Sequence, residues 1–426
     1  MSTLDGRDAR RARVAVSALF LVNGALIANV LPRLPALKAQ LELTNAALGT
    51  AVAAMPVGGL LAGAAAGALI VRFSSRRVTV GTGVAFGLLL GSIGLAPSWL
   101  ALAAAFLALG VLDAIMDAAM NAHGIAVQRS YGRSILHGFH GWWSAGTLLG
   151  AGSGALAAAL DVPLAVHLAV VGTALAGVSL AAIPFLLRDR AVDVAEPGGG
   201  AGSGAGAPSG AARRAGRLLR LVAPFALIGV LGVMLEDAAS TWSTIFLTDV
   251  LGAAVGLAAL AVVLYTAGMT MGRLTNDRWI DRWGDTAVAR GGALFASLGV
   301  VLVVLAGAWA AVPLAAVAFG LVGLGTSPLF PVMISAAGTV PGVPAGQGVA
   351  LVSWLARGGF VIAPTLVGLA ADAVGLGAAL LIPLVAGLTV AVLMGSLLAS
   401  SGRTTRTTAR AVTFDASGPR PPGATP

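Results

Sequence analysis

Asp113, Asp117 and Asn121 recur at i, i+4 and i+8, a spacing that sets two carboxylates and an amide on one face of a helix. Glu236 and Asp237 stand side by side, with Ser240, Thr241 and Thr244 on the turns that follow, and Arg357 precedes Gly358 and Gly359. Each group falls near the middle of a long apolar run. An ionisable side chain at the centre of a bilayer costs at least ~2.5–3.5 kcal/mol, so these residues read first as a proton-coupling or substrate pathway. Four carboxylates and one guanidinium cannot all carry charge in a low-dielectric cavity, so at least one carboxylate is expected to take a proton from one side and release it to the other. Arg357 reads as a charge partner that frees an acid when solute binds, or as a direct contact for an anionic solute. The excess of acids favours neutral or cationic cargo. The plainer alternative makes Arg357 and one acid a fixed structural pair, with the other acids in a water-filled vestibule.

Other side chains extend this reading. Trp142, Trp143, Trp242 and Trp354 offer indole faces that stack on sugars or cap cations, and otherwise serve as packing or belt residues. Asn23 and Asn29 are amides in an apolar run and need partners, whether a ligand or another helix. His137 and His140 have the i, i+3 spacing of a metal half-site without a carboxylate beside them. A pH-sensitive gate or helix-end hydrogen bonding suits them better, and no metal is expected. Cysteine is absent, which removes thiolate sites and disulfides. The single lysine, Lys38, sits in Ala-Leu-Lys-Ala and not in the Gly-Lys-Ser/Thr step of a phosphate-binding loop, so no nucleotide cofactor is expected.

The elements that carry these residues follow from composition. Of 426 residues 58% are hydrophobic and 10% charged, where soluble domains average about 25% charged. A soluble enzyme, a disordered chain and a nucleic-acid-binding domain are thereby excluded, despite the formal charge of +9. Runs long enough to span a bilayer fall at 14–32, 46–71, 78–96, 99–127, 139–160 and 163–187, then at 221–248, 254–276, 286–308, 311–335, 346–371 and 376–400. The expected fold is all-α and polytopic, with twelve transmembrane helices in two six-helix bundles. The organisation is a cytoplasmic N-terminus (1–13), a first bundle (14–187), a Gly/Ala/Ser/Pro-rich flexible linker (188–219), a second bundle (220–400) and a disordered tail (401–426). The first run lacks a cleavage site and reads as a retained helix. Pro328, Pro331 and Pro364 are positioned to break or kink the tenth and eleventh helices.

Arginine placement fixes the expected orientation. Arg72, Arg76, Arg77, Arg129 and Arg133, the linker arginines Arg188, Arg190, Arg213, Arg214, Arg217 and Arg220, and Arg278, Arg282 and Arg290 all fall on one side. Arg33 and Lys38 fall on the other. Both termini are therefore expected in the cytoplasm, with the positive face against anionic membrane lipid and not nucleic acid.

The halves also repeat. Ile70-Val71-Arg72-Phe73-Ser74-Ser75-Arg76-Arg77-Val78 recurs, offset by about 210 residues, as Ile280-Asp281-Arg282-Trp283-Gly284-Asp285-Thr286-Ala287-Val288. Small residues at i, i+4 spacing (Gly59, Gly63 and Gly67; Gly146, Gly150 and Gly154; Gly268 and Gly272) suit close helix crossings. In these features the chain resembles the major facilitator superfamily (MFS) of transporters. Gly272-Arg273-Leu274-Thr275-Asn276-Asp277-Arg278, continuing to Asp281-Arg282-Trp283-Gly284, is similar to that family's cytoplasmic-loop signature. The resemblance implies cytoplasmic gate loops at Arg72, Arg76 and Arg77 and at Asp277, Arg278, Asp281 and Arg282. In the first copy Val71 stands where the family has an acid and Ser74 where it has glycine, which puts an Asp-based latch there in doubt.

Three further stretches, 116–124, 137–146 and 236–243, resemble the bacterial YbjJ-like and MosC-like branch. What this implies is a non-enzymatic secondary active transporter of the bacterial inner membrane. It would move a small hydrophilic solute by alternating access, with protons as the coupling ion and a monomer as the working state. A drug or metabolite efflux antiporter of the same fold is the alternative. It is disfavoured because the fourth helix carries acids in place of the usual arginine and the fifth lacks proline. A non-transporting membrane receptor is the alternative of another class.

Overall fold

The structure is a computed structural model and describes residues 6–131, 135–187, 208–340 and 342–396. Among them there is no strand. In the first half, α1 (Gly6–Ala28) passes through a 3-10 turn (Leu31–Arg33) into the short α2 (Leu34–Gln40). Then come α3 (Asn45–Phe73), α4 (Ser75–Gly94), α5 (Trp99–Tyr131), α6 (Leu136–Ala159) and α7 (Leu164–Ala182). The second half has α8 (Pro208–Ile245, ending in a π-turn at Phe246–Val250), α9 (Val255–Trp283), α10 (Asp285–Ala308), α11 (Val312–Thr326), α12 (Leu329–Ala337), α13 (Ala345–Val374), α14 (Leu376–Ala379) and α15 (381–396).

Eleven described helical stretches are long and apolar enough to cross a membrane. The fifth expected span, α6, falls short in apolarity but not in length: its 24 residues reach about 36 Å at 1.5 Å each. It is sheltered by packing against α1 and α9. The tenth run is indeed broken, with α11 ending at Thr326 and α12 beginning after Pro328. Pro364 lies inside α13 without ending it. One boundary differs from expectation: α8 starts at Pro208, within the stretch read as linker, while 188–207 and the tail lie outside the described residues.

The duplication is visible in backbone geometry. α3 and α9 each contain 29 residues, and their first and last residues are 210 positions apart. The residue that ends each also starts the next helix in the same conformation: Ser74 at φ 73°, ψ 150° and Gly284 at φ 79°, ψ 156°. Only glycine adopts that region without strain.

The halves meet chiefly through two helix pairs, α3 with α13 and α6 with α9, with smaller contacts from the 3-10 turn to α8 and α9 and from α2 to α8. The backbones touch at Gly49 of α3, which lies against the carbonyl of Pro364, so that any side chain there would collide. Gly368 meets the backbone of Asn45 and Gly256 meets Ala159 in the same way. Three polar bonds reinforce this end. The Lys38 ammonium contacts the Asp249 carboxylate at 2.5 Å. The two Asp372 carboxylate oxygens accept the Asn45 and Ala46 backbone N–H groups, each at 2.9 Å. Toward the other ends of these helices, Gly63 and Gly67 of α3, Gly141 of α6 and Gly346 of α13 face open space. The two bundles thus close against each other at the Lys38 end.

Candidate functional site

Helix α5 presents the acidic face that its spacing dictates. Asn121 donates to the Asp117 side chain at 3.0 Å and to its carbonyl at 2.9 Å. Asp113, one turn away, accepts from the Asn23 amide of α1 at 2.9 Å. Asn23 is buried, and its own oxygen accepts the Trp143 indole N–H of α6, again at 2.9 Å. An unbroken chain, Trp143 to Asn23 to Asp113, therefore joins three helices of the first half, and the buried amide has both its ends in use.

The second half supplies the opposing charges. Arg357 of α13 is exposed and close enough to act electrostatically on Asp113 and Asp117, and His140 of α6 acts on Asp117 as well. The His140 ring also meets Phe20 edge-on at 5.2 Å. Glu236 of α8 is half-buried and within reach of Arg273 on α9. The Arg273 guanidinium in turn lies over the Trp143 ring, 5.4 Å from its centre. Tyr265, buried on α9, is within electrostatic reach of Glu236, Asp237 and Arg273. Acids from both halves thus gather at mid-helix with two arginines, a histidine and an indole face.

The other expected residues are placed as follows. Asp237 is buried behind Glu236. One oxygen accepts from Thr241 at 3.2 Å, and the other has no partner among the described residues. Trp242 is fully buried and packs on Gly49, so it belongs to the contact between halves and not to the acidic cluster. Trp142 and Trp354 are 51% and 55% exposed and make none of these contacts. Asn29 bonds to His167 at 3.2 Å and to the Ala25 carbonyl, a polar knot inside the first half. The His137 side chain and Arg133 lie outside what is described.

The gate loops are not joined across the halves. Arg76 donates to the Ile183 carbonyl of its own half at 2.8 Å, and Arg72 lies over its neighbour Phe73. Asp277, Arg278, Asp281 and Arg282 are exposed, and none forms an ion pair among the described residues. Arg273, in contrast, belongs to the loop signature in sequence but stands ten positions before the end of α9. Helix arithmetic puts it about 15 Å inside that end, a depth at which an arginine calls for a partner.

No family model matches the chain. Among curated proteins, it is 32% identical over 358 residues to the uncharacterised transporter y4wD of Sinorhizobium fredii, covering 84% of this chain and 90% of that one. It is 28% identical to an uncharacterised MFS-type transporter of Yersinia pestis (84% and 89% covered) and 28% identical to the membrane protein MosC of Rhizobium meliloti (88% of each). Among solved structures, the nucleoside transporter NupG superposes with a TM-score of 0.69 at 12% identity, covering 92% and 98% of the two chains. A D-xylose–proton symporter gives 0.70 at 16%, covering 90% and 97%. The apolar helices and the relatives in sequence together make this a multi-pass membrane transporter. The chain belongs to the major facilitator superfamily, among relatives that include MosC.

Proposed function

We propose that the chain is a proton-coupled secondary transporter that carries a small hydrophilic solute across the bacterial inner membrane by alternating access. The observation that carries this reading is that Arg357 of one half lies within electrostatic reach of Asp113 and Asp117 of the other at mid-helix, with Glu236 within reach of Arg273. Charges held there, where the halves face each other, can be rearranged only by solute, water or a proton. With both termini cytoplasmic, the closed Lys38 end is the outer one, and the structure corresponds to an inward-facing state. Asp113, Asp117 and Glu236 carry the coupling. Arg357 and Arg273 balance them, the Trp143 face contacts the solute, and Asn23 holds Asp113 and Trp143 in place. Mixed acids, amide and indole suit a neutral or cationic polar solute such as a polyol. That one relative in fold is a proton symporter for a sugar supports the same direction of reading.

The test is solute-dependent proton uptake by purified protein in vesicles, with solutes first chosen by thermal shift, since a binder stabilises the folded state by mass action. Asp113→Asn and Asp117→Asn are expected to abolish uphill accumulation and leave binding measurable. Full gradient-driven accumulation by the double variant would remove the proposal. Exit of solute driven by proton entry, in place of uptake, would keep the coupling and reverse the direction.

A further inference from the structure

The arginines of the first-half loop do not grip the second half, and their surroundings assign them another role. Arg76 and Arg77 lie on the first turn of α4 and head a groove of about 300 Å³ between α4 and α7. The rest of the groove is Val80, Gly81, Val84, Leu180 and Ile183, with no polar side chain among them. It opens on the outside of the bundle, where Leu180 and Ile183 are 51% and 37% exposed. One Arg76 nitrogen is held by the Ile183 carbonyl; neither arginine forms an ion pair among the described residues.

On a membrane protein an exposed apolar trough faces hydrocarbon, and the arginine-rich end of a spanning helix lies at the headgroup layer. Guanidinium groups pair with phosphate oxygens bidentately, and the first turn of a helix favours negative charge further. We infer that this groove is a binding site for an anionic phospholipid. Its phosphate is held by Arg77 and the free face of Arg76, and an acyl chain lies along Val80, Val84 and Leu180. A free phosphate would leave the apolar walls uncovered. A zwitterionic lipid would bring an ammonium toward two guanidiniums. The basic loop that lacks the acid of its second-half counterpart (Val71 against Asp281) thus anchors the first bundle to the charged leaflet.

The test uses the full-length protein in detergent, with phosphatidylglycerol, phosphatidylcholine of the same chains, and inorganic phosphate as probes. Retained lipid is counted by native mass spectrometry, and unfolding temperature is followed in parallel. Wild type is expected to retain phosphatidylglycerol in preference to phosphatidylcholine. Arg77→Gln, which breaks no recorded protein bond, should weaken that retention about fivefold, the effect of one interfacial arginine. Leu180→Trp, which fills the trough and leaves both arginines, should lower it as well. Equal retention of the two lipids by wild type overturns the proposal and needs no variant. Stabilisation by inorganic phosphate equal to that by phosphatidylglycerol also overturns it, by reducing the site to a simple anion contact.

Discussion

The Arg273 guanidinium of one half lies 5.4 Å from the centre of the Trp143 indole of the other, and that indole donates its N–H to Asn23. Two properties of one side chain are used at once: the ring face toward a cation, and the ring edge toward the amide that holds Asp113. The Arg273 charge of the second half is thereby linked to the acid of the first through Trp143 and Asn23. A cation over an indole contributes about 0.5–2 kcal/mol depending on desolvation. A hydrogen bond contributes about 1 kcal/mol, with more lost when its buried partner is left unsatisfied.

Trp143→Phe separates the two uses, because it keeps a face under Arg273 and deletes the N–H. Asn23 then has a buried oxygen without a donor, at a cost of about 1–3 kcal/mol. Solute-driven transport is expected to fall about tenfold, with the protein still folded by size exclusion. Arg273→Gln should impair transport while leaving the Trp143 to Asn23 bond in place. Wild-type transport in both variants would show that the link between halves does not matter to function.

The closed end offers a second prediction, and magnitudes decide which contact dominates. Lys38 and Asp249 form a part-exposed pair, with side chains 17% and 40% exposed, and isolated ion pairs near a surface contribute about 0–1 kcal/mol. Asp372 accepts two N–H groups from the first turn of α3, a charge-assisted cap of about 1–2 kcal/mol. Asp372→Ala should therefore open this end more than Lys38→Met. The cysteine-free chain allows a direct check: spin labels on Glu42→Cys and Val250→Cys, one in each half, report the separation. A longer-distance population is expected in Asp372→Ala and a smaller one in Lys38→Met. An unchanged distribution in Asp372→Ala would refute the ranking.

Much of this was legible from spacing alone. The apolar runs located the helices because each must bury or shed its polar backbone within one span. The i, i+4 pattern put Asp113, Asp117 and Asn121 on one face, and the Asn121 to Asp117 bond follows directly. What spacing cannot encode is the partner brought from far along the chain. Asp372 and Asn45 are 327 positions apart, and Lys38 and Asp249 are 211 apart; only the docking of two bundles joins them. Periodicity reports which way a residue faces within its helix, and it is silent on what the facing helix carries. Trp242 illustrates the converse. An indole read as a cavity wall is buried at a helix crossing, because Gly49 leaves room for it there.

The repeat makes its own prediction at Ser74. Its backbone matches that of Gly284, 210 positions on, yet it carries a side chain at φ 73°, ψ 150°. Conformations of this kind cost about 1–3 kcal/mol for a residue other than glycine. The gain in Ser74→Gly is offset in part by the extra freedom of glycine in the unfolded chain, about 0.4–1 kcal/mol. The net expectation is a stabilisation of about 1 kcal/mol, read as a rise in unfolding temperature of roughly 1 °C for a chain of 426 residues. Gly284→Ala, the same exchange in reverse at the matched site, should lower it by a comparable amount. The pair is measured on purified protein in one detergent, so that differences in micelle packing cancel. Opposite shifts of similar size would establish that the two turns are mechanically equivalent. A destabilised Ser74→Gly would instead mean that the serine side chain supports its turn by more than the strain it imposes.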